Sequence, residues 1–64
     1  MNTYIITEKQ NLNSVRNGAK FQAKDLTAAK RIATREKMFS GTVVTVEQNG
    51  RLLAYRENGK WVNA

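Results

Sequence analysis

Ala19, Phe21 and Ala23 alternate with Lys20, Gln22 and Lys24, the period-two pattern of a strand with one buried and one wet face. The wet face is basic. Upstream, Thr3-Tyr4-Ile5-Ile6-Thr7 is β-branched and aromatic and predicts a first strand. The polar stretch 9–16 reads as a long exposed loop, closed by a turn at Asn17-Gly18. After residue 24 the period changes. At about 100° per residue, Leu26, Ala28, Ala29, Ile32, Ala33 and Phe39 gather on one side of a helix, with Lys30, Arg31, Thr34, Arg35 and Lys37 on the other. This predicts an amphipathic helix from 26 to about 37 with a cationic outer face. Asp25 is placed to cap its first turn, and Ser40-Gly41 to end it, with Gly41 in a left-handed cap. The small Ala28, Ala29 and Ala33 let the helix lie close on a sheet, with Leu26, Ile32 and Phe39 as the larger contacts.

Residues 42–47, Thr-Val-Val-Thr-Val-Glu, are strand-like, and 51–56 and 60–63 follow as two more strands. Asn-Gly is the strongest short hairpin signal, because a type I′ turn needs positive φ at both central residues. Asn17-Gly18, Asn49-Gly50 and Asn58-Gly59 are therefore expected turns. The reading is an α+β fold, ββαβββ, with one antiparallel sheet carrying a single helix on one face. Trp61 with Tyr55 is expected to cover one side of the final meander. No repeat, low-complexity tract or linker interrupts the chain, so 1–64 reads as one domain.

Sixty-four residues bury only about 60% of the surface that the unfolded chain exposes. With no Cys and no His, neither a disulfide nor the usual soft metal ligands can staple the fold. No apolar run approaches the roughly 20 residues that cross a bilayer, and Met1-Asn2-Thr3-Tyr4 lacks the charged start of a signal peptide. The expectation is a cytoplasmic protein that engages no membrane. Eleven Lys and Arg against five Asp and Glu give a formal charge of +6 and a pI near 10.2. Such a field attracts polyanions or acidic protein surfaces.

No constellation for catalysis is visible. The commonest general base is missing, the acidic residues Glu8, Asp25, Glu36, Glu47 and Glu57 are scattered, and no phosphate-binding glycine loop occurs. Glu47 and Glu57 lie on neighbouring expected strands, where solvated counter-charges are the commoner outcome. The chain is read as a binding module without catalytic residues, metal, cofactor or small-molecule substrate. Its most informative feature is Lys30, Arg31, Arg35 and Lys37, with Lys20 and Lys24 at the approach to the helix. Only Glu36 offsets the four helix cations, whereas a face built for solubility mixes signs. Arg51, Arg56 and Lys60 form a second basic cluster near Tyr55 and Trp61. Aromatic residues beside cations can stack bases, but in so small a core Trp61 is expected to be buried.

Taken together, Tyr4-Ile5-Ile6, Asn11-Leu12-Asn13-Ser14, Leu26-Thr27, Ala29-Lys30-Arg31-Ile32-Ala33, Arg35-Glu36, Gly41-Thr42-Val43, Asn49-Gly50 and Gly59-Lys60-Trp61-Val62 resemble the ninth-named family of phage-encoded type I-F anti-CRISPR proteins. The resemblance runs over nearly the whole chain. It implies an inhibitor that acts in the infected bacterial host, docks on the backbone subunits of an RNA-guided surveillance complex over the guide RNA, and stops target DNA from pairing. It also implies that the inhibited complex retains double-stranded DNA without sequence preference. Carried onto this sequence, Lys30, Arg31, Lys37 and Arg35 are docking candidates, and Arg51, Arg56 and Lys60 are candidates for holding DNA. The charge of +6 counts against acidic DNA mimicry. The competing reading is a free-standing basic nucleic-acid-binding domain, such as a phage or plasmid regulator, although no helix-turn-helix pair or ribonucleoprotein motif is present.

Overall fold

A computed structural model describes residues 1–13, 17–37 and 41–64. The elements run β1 (Asn2–Lys9), β2 (Ala19–Ala23), α1 (Leu26–Glu36), β3 (Val43–Gln48), β4 (Arg51–Glu57) and β5 (Lys60–Asn63). All neighbouring strands pair antiparallel, in the order β2-β1-β3-β4-β5. This is the expected ββαβββ arrangement, one sheet with one helix against it.

Alternation along the strands assigns the two faces. Tyr4 pairs with Phe21, Ile6 with Ala19 and Val46, and Val46 with Ala54, so these side chains share the face that carries α1. There Tyr4, Ile6, Ala23, Val44 and Val46 form one buried cluster with Ala29 and Ala33, and Ala54 is buried beside Val46. Ala29 is 0% exposed and Ala33 1%, as close packing through a side chain no larger than a methyl group requires. The helix lies over β2, β1 and β3. Its start is fixed by Asp25, whose Oδ1 accepts from the Ala28 amide at 2.9 Å.

The opposite face holds Thr7, Thr45 and Tyr55 side by side. Thr7 and Thr45 are buried, and the Lys9–Glu47 ion pair, 4.0 Å between Nζ and Oε1, spans that row diagonally. Among the described residues, the buried Thr45 hydroxyl has no hydrogen-bond partner.

Asn49-Gly50 and Asn58-Gly59 are the tight turns expected, with φ of 55° and 75° in the first and 52° and 78° in the second. Asn17-Gly18 is not such a turn. Gly18 is needed for space: a Cβ there would crowd the Thr7 hydroxyl and lie 2.6 Å from Ile5 Cγ2 and 2.9 Å from the Ile6 carbonyl oxygen. The polar stretch from residue 9 begins later than expected, because Lys9 pairs with Val43 as the last residue of β1. The helix stops at Glu36 with Lys37 extended at its end, so Gly41, although at φ 76°, does not cap it directly. Phe39, Ser40 and the loop residues Ser14 and Arg16 lie outside the described residues. Tyr55 and Trp61 do not share a face, since Tyr55 pairs with Val62 and Arg56 with Trp61. In an antiparallel ladder residues directly opposite point the same way, which sends Trp61 to the helix side and Tyr55 to the other.

Candidate functional site: a cationic groove beside Trp61

Because α1 covers β2, β1 and β3, the β4–β5 end of the helix-side face is left open, and Trp61 stands there half-buried. Between helix and ring runs an open groove of about 480 Å³, lined by Thr27, Lys30, Arg31, Thr34, Arg35 and Trp61. The five helix residues recur at three- and four-residue spacing and so form one stripe. No carboxylate is among the lining residues.

The three cations differ in attachment. Lys30 is half-buried: its Nζ donates to Asn63 Oδ1 at 2.7 Å and sits 5.7 Å from the centroid of the Trp61 ring, within cation–π range. The angular reading of the helix placed Lys30 on the solvent side, but β5 reaches far enough to meet it. Arg31 and Arg35 are exposed, and among the described residues neither forms an ion pair. Thr34 donates its hydroxyl to the Lys30 carbonyl at 3.0 Å, leaving the two arginines to dominate the rim. On β4, Arg56 is directly opposite Trp61, which adds a fourth cation on the same side of the sheet.

The remaining candidates are dispersed. Lys24 is exposed just before the helix cap, its carbonyl accepting from Asn2 Nδ2 at 3.4 Å. Lys37 ends the helix and lines a different hollow, about 360 Å³, with Glu8, Phe21 and Glu36 among its walls. Lys20 pairs with Ile5 and belongs to the face away from the helix. Arg51 and Arg56 lie near opposite ends of β4. Lys60 is exposed opposite Glu57, on the Tyr55 side. The second basic cluster is thus divided: Arg56 joins the helix cations, and Arg51 and Lys60 do not.

The sequence singles out Trp61 beside the cations but expects it to be buried, whereas it is half-buried and walls the groove; Asn63, the acceptor for Lys30, carries no signal in the sequence. The signal for Trp61 was available. A two-residue turn at Asn58-Gly59 fixes Glu57 opposite Lys60 and therefore Arg56 opposite Trp61. Among the described residues no group of His, Asp or Glu is clustered for a metal, and no helix is long and apolar enough to cross a membrane.

No protein-family model and no curated protein matches the chain. A solved structure titled AcrIF9 does. It is 52% identical, superposes with a TM-score of 0.92, and the match covers 97% of this chain and 84% of that one.

Proposed function

The chain belongs to the AcrIF9 family of type I-F anti-CRISPR proteins, and on that premise we propose that it inhibits by docking its helix-side cations on the backbone subunits of a type I-F surveillance complex, over the guide RNA. The observation that supports this is the stripe of Arg31 and Arg35, exposed and without ion pairs among the described residues, in line with Lys30. Cations aligned on a rigid helix complement an acidic or RNA-bearing channel and set both encounter and register.

In such complexes base pairing reads the sequence while the protein channel holds the heteroduplex. A small basic body seated in the channel therefore removes recognition without any chemistry. The same logic accounts for nonspecific retention of double-stranded DNA: contacts from lysine and arginine to phosphates give affinity but no sequence information. The more dispersed Arg51, Lys60 and Lys20 are suited to that looser role, and Lys24 and Lys37 flank the docking surface at the two ends of the helix. The site of action is the cytoplasm of the infected host.

The test is target-DNA binding by a purified type I-F complex after incubation with this protein. Loss of guide-directed binding at near-stoichiometric inhibitor, with co-elution of the two, is the expected result. Unchanged target affinity at saturating inhibitor would overturn the proposal. If the protein then still held DNA by itself, a free-standing nucleic-acid-binding domain would be the better account.

A further inference from the structure

We propose that the groove between α1 and β5 takes an unpaired nucleotide, with Trp61 stacking on its base and Arg31, Arg35 and Arg56 meeting its phosphates. The free protein then prefers single-stranded to double-stranded nucleic acid. This inference rests on the same cationic stripe as the docking reading, but it concerns the protein alone and needs no surveillance complex.

Three features of the groove select this ligand. Its volume, about 480 Å³, is within the range that accommodates small planar ligands. Its floor is an indole fixed in place, since Trp61 packs against the core and is held in register by the β4 ladder; a ring so anchored offers a stacking surface at little entropic cost. Its rim is cationic along α1, from Lys30, Arg31 and Arg35, and no carboxylate lines it; Arg56 of β4, opposite Trp61, adds a cation on the same side of the sheet. An aromatic floor under a cationic rim is the arrangement that holds single strands, because every unpaired base presents a π-face, and a paired base cannot leave its stack to reach a recessed ring. A duplex can satisfy the arginines but not the tryptophan.

Lys30 occupies the ring face in the free molecule. Its ammonium is held there by one hydrogen bond to Asn63, on a flexible four-carbon stem. An entering base takes that place over the ring, and the ammonium turns to the phosphate that arrives with it.

The chain has one tryptophan, so its emission reports the groove directly. The experiment titrates the wild-type protein with an oligo(dT) or oligo(U) strand and with a duplex of equal length, at one ionic strength, following emission and anisotropy. Single strands should quench Trp61 and bind about tenfold more tightly than duplex, the order of one stacked base. Trp61→Leu should bring single-strand affinity down to the duplex level and leave duplex affinity unchanged, while Trp61→Phe keeps most of the preference. Circular dichroism establishes that each variant is folded; if Trp61→Leu is not, the wild-type quench and Trp61→Phe decide. Duplex binding as tight as single-strand binding, single-strand binding without a change in emission, or tighter binding of a polyglutamate peptide than of the oligonucleotides would each overturn the proposal. None of these outcomes bears on inhibition of the complex, which is measured separately.

Discussion

Asn63 on the last strand accepts a 2.7 Å hydrogen bond from the ammonium of Lys30, 33 residues earlier on the helix. The bond ties the open end of the sheet to α1, beside the packing of Trp61 against the core. Asn63→Ala should therefore cost little, about 0.5–1 kcal/mol, the net worth of one exposed hydrogen bond. It should also free Lys30 from its position over Trp61. A shift in tryptophan emission with a near-unchanged melting temperature is the expected signature, and a large loss of stability would show that Asn63 carries more of the fold than this one bond.

Thr45 gives the opposite sign. Its side chain is 1% exposed and its hydroxyl lacks a partner among the described residues, so the fold carries the desolvation cost of a polar group with no return. Thr45→Val keeps the shape and β-branching while removing the hydroxyl. It should stabilise the protein by about 1 kcal/mol, raising the melting temperature by several degrees in a domain of this size. A lowered melting temperature would reveal a bound water that satisfies the hydroxyl.

Gly18 and Gly50 separate two uses of glycine. At Gly50 the backbone is left-handed but nothing lies within 4 Å of an added Cβ, so Gly50→Ala should cost about 1 kcal/mol, the conformational penalty alone. At Gly18 the added methyl meets β1 itself, including the Ile6 carbonyl, and backbone cannot yield as a side chain does. Gly18→Ala should cost more, up to about 3 kcal/mol. Chemical denaturation of both variants checks the order.

The docking surface is tested by Arg31→Glu with Arg35→Glu against Lys20→Glu. All three residues are exposed, so stability should move by no more than about 0.5 kcal/mol per site. The helix pair should abolish inhibition, because like charges set against a complementary surface cost several kcal/mol. Lys20→Glu, on the face turned away from the helix, should leave inhibition intact. Equal loss from both would place the docking surface elsewhere.

Much of this was legible in the chain. The helix announced itself through Asp25 and the alanine stripe, and the two hairpins through Asn49-Gly50 and Asn58-Gly59, because each signal is local and has one cheap geometry. Three features did not show. The role of Gly18 depends on what lies across the sheet from it, and no local pattern encodes a neighbour's distance. A helical wheel puts Lys30 in solvent because it has no knowledge of where a later strand will end. Proximity in sequence groups Lys20 with the helix cations, yet strand alternation turns it to the opposite face.

The position of β1 between β2 and β3 also sets an order of events. The β3–β4–β5 meander closes through two-residue turns and can assemble locally, whereas joining Ile6 to Val46 must first close a long span of chain, at an entropic cost that only later contacts offset. That union is therefore the expected rate-limiting step, which stopped-flow refolding of β1–β3 variants checks. Variants that loosen the β1–β3 ladder should slow the folding rate itself, while those at the rim of β5 act chiefly by hastening unfolding.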